Sequence, residues 1–311
     1  MKSRELGSSG VRVTALGLGT AQLGDLYDAM TQDRATAIVD AAWDAGIRYF
    51  DTAPHYGLGL AEKRLGVALR SRPRSEYVLS SKVGRLLRPG TDGELTRQWD
   101  FSEGGIRSSI EESLERLGLD RLDIALLHDP QERLADALGS GLPALVKLRD
   151  EGVVGAIGVG TGDMGALRAF ASRGELDAMM IAGRYTLLEQ PALAEVIPAA
   201  RAAGISVLNV GVFNSGMLAQ DHPDPDARYE YAAAPRELLA RARQLADLAT
   251  AAGTTLPQAA LAYAARDPLV ASVVFGADDA EQIRANVRMA QDPRPLDGLW
   301  SELVALGLIP G

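Results

Sequence analysis

The chain has 311 residues, 47% apolar and only 5% aromatic, with a formal net charge of −9, three histidines and no cysteine. That charge argues against a surface for nucleic acid or an anionic membrane, because gripping phosphates needs clustered Lys and Arg. The absence of cysteine excludes disulfides, thiolate catalysis and cysteine-held zinc, and with no close histidine pair no metal site is expected.

In chain order, Met1-Lys-Ser-Arg-Glu-Leu6 lacks the apolar core of a signal peptide. No apolar run is long enough to span a bilayer, so a cytoplasmic location is expected. Residues 4–13 read as a hairpin turning at Gly7-Ser-Ser-Gly10, placed to plug the bottom of whatever follows. Eight short apolar runs then recur: 16–19, 47–50, 77–81, 122–127, 154–159, 178–182, 205–210 and 270–275. Amphipathic stretches separate them, at 32–45, 60–70, 102–117, 142–151, 164–173, 191–203, 235–252 and 256–265, with further helices expected at 280–290 and 299–306. Uninterrupted apolar strands suit a sheet covered on both faces. Several helices stop at a glycine just before the next strand (Gly46, Gly152, Gly204), a left-handed cap. Eight strand–helix alternations with no linker predict one α/β domain over residues 1–311, a (β/α)8 TIM barrel with an N-terminal β-hairpin. Two strand-to-helix loops, 82–101 and 211–234, are long and belong on the barrel mouth, where long loops cover ligands.

Four polar residues follow apolar runs: Asp51, Tyr56, Lys82 and His128. In such a barrel all four face one mouth, the end where active sites lie. Each also has an ordinary role when taken singly: Asp51 as a helix cap, Lys82 as a solvated cation, His128 as a loop hydrogen bonder. Together they form a proton-transfer set. A phenol titrates near pH 10, and a neighbouring ammonium lowers that value by favouring phenolate. Asp51 holds the ammonium by an ion pair, and His128 orients a substrate oxygen or relays a proton. Such a phenol suits carbonyl–alcohol interconversion, with the hydride coming from a cofactor because no side chain supplies one.

Phe50-Asp-Thr-Ala-Pro-His-Tyr-Gly57 resembles the N-terminal signature of the aldo-keto reductases. The resemblance runs nearly end to end, through Leu16-Gly-Leu-Gly-Thr20, Ser81-Lys-Val-Gly84, Glu112-Ser-Leu-Glu-Arg-Leu-Gly118 and residues 123–128. It implies a (β/α)8 barrel, a nicotinamide cofactor, and an Asp, Tyr, Lys and His tetrad at Asp51, Tyr56, Lys82 and His128, with Tyr56 as general acid or base. His55-Tyr-Gly-Leu-Gly-Leu-Ala-Glu62, Lys82-Val-Gly-Arg-Leu-Leu-Arg-Pro89 and Phe213-Asn-Ser-Gly-Met-Leu218 are similar to the branch holding L-fucose dehydrogenase, D-threo-aldose 1-dehydrogenase and pyridoxal 4-dehydrogenase. What the branch implies is oxidation of a cyclic hemiacetal, such as an aldose, to a lactone. The rival implications are pyridoxal oxidation, broad NADPH carbonyl reduction, and a nucleotide-sensing accessory subunit with slow turnover.

Gly158-Val-Gly-Thr-Gly162 is not a dinucleotide fingerprint and reads better as a tight turn before a cap at Asp163. The resemblance assigns the adenosine end of the cofactor to residues 275–286. NADP-preferring relatives carry Lys and Arg there, where this chain has Gly276 and Gln282 among Asp278, Asp279 and Glu281. Carboxylates repel a phosphate dianion, so NAD is the expected cofactor, with NADP possible if Arg284 and Arg288 turn inward. Gly19, Thr20, Asp51, Thr161, Phe213, Ser215, Gly216, Gly276, Asp278, Gln282 and Asn286 are the expected cofactor contacts. The family's usual amide-binding residues are replaced here by Gly160-Thr161, by Ala182 and near Val210-Gly211. Thr161, Phe213 and Arg184 are the substitutes in view. Tyr27, His55, Trp99, Phe101 and Asp129 are the expected substrate contacts, with Arg85 beside them, and His222 is read as surface. The expected partner is a small sugar or hemiacetal, not nucleic acid or a membrane, for a chain working as a monomer or small homo-oligomer.

Overall fold

The computed structural model describes every residue except Tyr231 and Pro293. Strands β1 (Ser3–Glu5) and β2 (Arg12–Thr14) pair antiparallel. Eight further strands close a parallel barrel in chain order: β3 (Leu16–Gly19), β4 (Tyr49–Asp51), β5 (Val78–Val83), β8 (Ile124–His128), β9 (Ala156–Thr161), β10 (Ala178–Ala182), β11 (Ser206–Val210) and β14 (Val270–Phe275). The intervening β6 (Arg85–Pro89) and β7 (Leu95–Trp99), and β12 (Arg228–Tyr229) and β13 (Ala232–Ala233), are small antiparallel pairs in the two long mouth loops. The expected (β/α)8 barrel is therefore the fold.

Around the barrel lie α1 (Gln32–Asp44), α2 (Leu60–Leu69), α3 (Glu103–Leu117), the single turn α4 (Leu134–Asp136), α5 (Leu142–Asp150), α6 (Met164–Ala171), α7 (Ala192–Ala202), α8 (Arg236–Ala251), α9 (Leu256–Ala264), α10 (Ala280–Gln291) and α11 (Asp297–Ala305). Short polar caps fix where they begin. Ser102, Asp163, Thr255 and Asp279 each accept the backbone N–H three residues on, satisfying a donor the helix leaves free. Among the described residues no helix is long and apolar enough to cross a membrane.

Two apolar cores follow from strand alternation. Outward residues such as Phe50, Leu79, Leu127, Ile157 and Met179 pack under the helices. Inward residues Tyr49, Ile124, Ala156, Ala178 and Leu208 fill the barrel floor with Leu6 and Val13 from the hairpin. The hairpin is tied there by Gly7 N–H donating to Ser206 Oγ at 2.9 Å and by Arg4 to the carbonyls of Pro268 and Val270. The mouth is thus the only end of the barrel left for a ligand among the described residues.

The differences from the sequence reading are local. Asp51, Lys82 and His128 lie within their strands rather than just past them. The 82–101 loop is largely a hairpin, hidden from sequence because β7 is exposed along most of its length and shows no apolar alternation.

Candidate active site at the barrel mouth

Register brings the site together. Asp51 pairs across with Ser80, and Lys82 with Leu126. Two-residue alternation turns Ser80 and Lys82 inward and Ser81 outward. Inside, Lys82 Nζ donates to Asp51 Oδ2 at 2.6 Å and to the Thr52 carbonyl at 3.0 Å. The other oxygen, Asp51 Oδ1, accepts from Ser80 Oγ at 2.7 Å, and Ser80 contacts the Tyr49 hydroxyl at 3.0 Å. The Lys82 and Asp51 side chains are 3% and 5% exposed, so this ion pair is out of water. Outside, Ser81 Oγ donates to Glu62 Oε1 at 2.8 Å, while Arg116 Nε donates to Glu62 Oε2 at 2.5 Å. Glu62 is fully buried, and through it α2 is locked to β5 and α3.

Tyr56 sits in the turn between β4 and α2. The turn is seated by two glycines that touch. A Cβ on Gly24 would lie 2.6 Å from the Tyr56 carbonyl carbon, and one on Gly57 would lie 2.4 Å from the Gly24 oxygen. Gly57 also has φ +59, which other residues rarely adopt. Lys82 Nζ lies 4.8 Å from the centre of the Tyr56 ring. His128 packs edge-on to Tyr56, with centroids 6.1 Å apart, and to His55 at 5.4 Å.

Burial and charge tune these groups. Burial pushes the Tyr56 phenol up to about 12; the Lys82 ammonium pulls the other way, and Asp51 and Asp129 add to the rise. The expectation of a lowered phenol pKa is corrected here: with Lys82 neutralised by Asp51, desolvation outweighs the cation. Burial alone would push the Lys82 ammonium down, but Asp51 and Tyr56 raise it above the ordinary lysine range. Burial holds His55 down to about 4 and His128 well below the usual imidazole range, with Arg85, Arg97 and Lys82 adding to both shifts. Both rings are therefore neutral at physiological pH. His128 Nδ1 is buried with no partner. An empty acceptor costs less there than an orphaned N–H donor, which assigns the proton to Nε2.

A second group lines the mouth beside His128. Asp129 Oδ2 lies 3.5 Å from His128 Nε2 and accepts from Arg85 at 3.2 Å. Arg85 stacks over Trp99 at 4.2 Å, and Trp99 stacks on Phe101 at 5.5 Å. Phe101 itself is buried in the core beneath Trp99, in a gap left by Gly84 and Gly141. It supports the wall and does not form its face. Tyr27 is on the exposed outer rim, under Arg228 from the β12 strand.

Across the mouth, Gly19 and Gly216 present no side chain, and a Cβ on Gly216 would meet nothing within 4 Å. Asn214, Ser215 and Gly216 are three successive residues with positive φ, and Asn214 Oδ1 is buried without a partner. Thr20 Oγ1 donates to the Asp51 carbonyl at 2.9 Å. Thr161 Oγ1 donates to Gln131 and accepts from Asp163 N, and Asp163 caps α6. That glycine run is not the expected turn: Gly158–Thr161 are the end of strand β9, paired with β8 and β10, and a Cβ on Gly158 would lie 2.3 Å from the Ala178 carbonyl, so only the Asp163 cap of that reading holds. Arg184 is held by the Gly162 carbonyl, Tyr229 and Glu230. Phe213 is partly buried against the core. At the last strand, Gln22 packs onto Gly276, Gln282 accepts from Asp278 N, and Asn286 lies further along α10. Arg284 and Arg288 pair with Glu281, while Arg34 donates to the Asp278 carbonyl. His222 is exposed, and among the described residues no group of side chains could hold a metal ion.

A family model described as the aldo/keto reductase family matches residues 15–296. The chain belongs to the aldo/keto reductase family. It is an oxidoreductase of a family that works with NAD(P)H. Over 97% of both chains it is 48% identical to D-threo-aldose 1-dehydrogenase from Pseudomonas sp. It is 36% identical to pyridoxal 4-dehydrogenase from Microbacterium luteolum, over 99% of this chain and 98% of that one. Among solved structures it resembles an aldo-keto reductase from Bacillus halodurans in its holo form, with a TM-score of 0.82 and 26% identity over 98% of this chain and 96% of that one.

The sequence reading missed three parts of this arrangement: Ser80 behind Asp51, the Glu62–Ser81–Arg116 tie, and the Gly24–Gly57 contact. Only Glu62 carried a signal, as an acidic residue at a position whose helical neighbours Ala61 and Leu65 are apolar.

Proposed function

We propose that this chain is a nicotinamide-dependent aldose 1-dehydrogenase. It oxidises the anomeric carbon of a cyclic sugar hemiacetal to a lactone, with one barrel domain carrying the whole activity. The observation that carries the proton-transfer role is the Lys82 ammonium held out of water between Asp51 and the Tyr56 ring. The likeness to D-threo-aldose 1-dehydrogenase supports a sugar as substrate.

In this reading the anomeric hydroxyl gives its proton to the Tyr56 phenolate oxygen, and the anomeric C–H bond leaves as hydride. Neutral His128 donates from Nε2 to the same substrate oxygen and fixes its direction. Lys82 stabilises the phenolate, and Asp51 keeps Lys82 charged. A bound oxidised nicotinamide would supply the hydride acceptor, and its positive charge would favour phenolate. The bare backbone at Gly19 and Gly216 and the unpartnered Asn214 oxygen fit such a dinucleotide laid across the mouth. Thr20, Thr161, Phe213 and Ser215 would line its nicotinamide and phosphate portion; Gly276, Asp278, Gln282 and Asn286 would line its adenosine end. NAD is the preferred form, because Arg34, Arg284 and Arg288 are each engaged by the chain itself. Tyr27, His55, Trp99 and Asp129 are assigned to the substrate side.

The test is a panel of L-fucose, D-arabinose, L-galactose and pyridoxal with NAD, following reduced cofactor, run on wild type and Tyr56→Phe. Sugar oxidation lost by at least about 100-fold in Tyr56→Phe, with NAD still bound, is the expected result. Turnover retained in that variant overturns the proton-acceptor role. Pyridoxal preferred over every sugar, faster carbonyl reduction with NADPH, or turnover too slow for an enzyme moves the reading to the corresponding rival.

A further inference from the structure

The wall beside His128 is built more rigidly than a passive rim requires. Asp129 holds a left-handed backbone, φ 42 and ψ 58, and its N–H donates to the Gly160 carbonyl at 2.9 Å. That conformation costs energy for most residues, and Asp is among the few that tolerate it. Its carboxylate is thereby set against the catalytic-side nitrogen, with Oδ2 3.5 Å from His128 Nε2 and 3.2 Å from Arg85. Arg85 is fixed in turn by the stack of its guanidinium on Trp99 and of Trp99 on buried Phe101. The two charges form a pre-oriented acceptor and donor, with the Asp129 oxygen 3.5 Å from His128 Nε2 and Arg85 behind it.

We propose that Asp129 and Arg85 form a subsite that reads the hydroxyl on the carbon next to the one oxidised, so that the substrate class is 2-hydroxy hemiacetals. This deepens the dehydrogenase reading above and rests on it. With the anomeric oxygen on His128 Nε2, the neighbouring oxygen of a vicinal diol lies about 3 Å further on, an ordinary hydrogen-bond separation. Asp129 Oδ2 is placed to accept from that hydroxyl, and the Arg85 guanidinium is placed to donate to it. Water cannot replace the missing hydroxyl without loss, because the partly desolvated pair is then imperfectly matched. A site built to bond a hydroxyl rejects an analogue lacking it far more strongly than an apolar pocket rejects a missing methylene. Part of the exposed rim remains in water, so the expected discrimination is at least about 100-fold and below the largest known cases.

The experiment compares kcat/KM for D-arabinose and for 2-deoxy-D-ribose, which is D-arabinose without its C2 hydroxyl, using NAD. It is run on wild type, Asp129→Asn and Arg85→Leu. Asn tolerates the left-handed backbone, so the first variant keeps the turn while removing the charge. The expected result is a wild-type ratio of at least about 100 in favour of D-arabinose, falling below about 10 in both variants. The Asp129→Asn loss falls on kcat/KM for the hydroxylated sugar, which a mere packing defect would not single out. Equal use of both sugars by wild type, or a ratio that survives in both variants, overturns the subsite and leaves the dehydrogenase reading standing. An enzyme that oxidises neither sugar, nor L-fucose or L-galactose, overturns both.

Discussion

Asp51→Asn isolates what the buried ion pair does. The substitution keeps the side chain's shape and an oxygen to accept from Ser80, but leaves the Lys82 ammonium 3% exposed with no counter-charge. Removing one partner of a buried pair costs about 3–5 kcal/mol. At about 2 °C per kcal/mol for a chain of this size, Tm should fall by about 6–10 °C at pH 7. The variant can relieve part of that cost by releasing the Lys82 proton, and this gives a signed test. In wild type the Lys82 pKa is raised. The stability it confers is complete below the lysine's unfolded value and is lost only as pH climbs through the higher folded value. Between pH 7 and 9 it therefore adds no slope. In Asp51→Asn the folded lysine pKa is depressed, the unfolded chain binds more protons, and stability rises with pH over the same range. Thermal unfolding of both proteins from pH 7 to 9 measures the difference in slope. Parallel curves, or a Tm drop under about 2 °C, would refute the claim that Asp51 holds a buried charged lysine. Sugar oxidation should fall by at least about 100-fold in the same variant, because neutral Lys82 no longer favours phenolate.

Gly24→Ala should lower kcat by about 100-fold with NAD affinity largely retained, since a Cβ 2.6 Å from the Tyr56 backbone forces the phenol-bearing turn aside. Stopped-flow turnover beside a cofactor-binding titration separates the two quantities, and full activity would mean the turn is not fixed by this contact. With the Tyr56 phenol up at about 12, sugar oxidation should climb with pH through the neutral and mildly alkaline range, while carbonyl reduction should fall at high pH. No break should appear near pH 6.5, because His55 is held down to about 4 and His128 well below its usual range. A bell centred on pH 6.5 would contradict this. For stability the same two imidazoles act in the acid direction: the unfolded chain takes up protons first, so stability is lost as pH falls below about 6.5. The ratio of kcat/KM values should favour NAD over NADP, and a tenfold preference for NADP would show that one of Arg34, Arg284 or Arg288 leaves its present partner.

Much of this was legible in the residues. Bare apolar runs ending in Asp51, Lys82 and His128 are a local pattern, and a closed parallel barrel is the one common arrangement that aims all of them at a single opening. The cap at Asp163 and the plug made by residues 3–14 were equally local. What sequence could not give was depth. The sign of the Tyr56 shift depends on how much water the fold removes against how well Asp51 neutralises Lys82, and both are tertiary quantities. Exposed β7 was silent because a strand with no buried face leaves no alternation to read. Phe101 looked like a substrate wall because an aromatic in a mouth loop carries no mark of whether it faces the ligand or the core.

The hidden parts share a physical purpose. Tyr56 lies in a turn, and turns are the least rigid places to mount a group whose oxygen, in the proposed mechanism, must be placed within a fraction of an ångström. Here the turn is clamped on both sides. Gly24 and Gly57 let the backbone of the β3–α1 loop touch it directly. On the other side, Glu62 binds α2, which the turn leads into, to Ser81, the neighbour of Lys82. Because strand alternation points Ser81 out and Lys82 in, one residue pair ties the Tyr56 turn to the strand that carries Lys82 without adding a further negative charge beside Asp51 in the mouth. On the proposed mechanism, a second carboxylate inside, beyond Asp51, would compete with the phenolate for Lys82. Arg116 completes the outer contact and neutralises Glu62, so a charge that is 0% exposed persists in the core. On the proposed mechanism, the separation of an inner pair for chemistry from an outer pair for position explains why two buried carboxylates, Asp51 and Glu62, lie on adjacent elements yet serve opposite faces of one barrel wall.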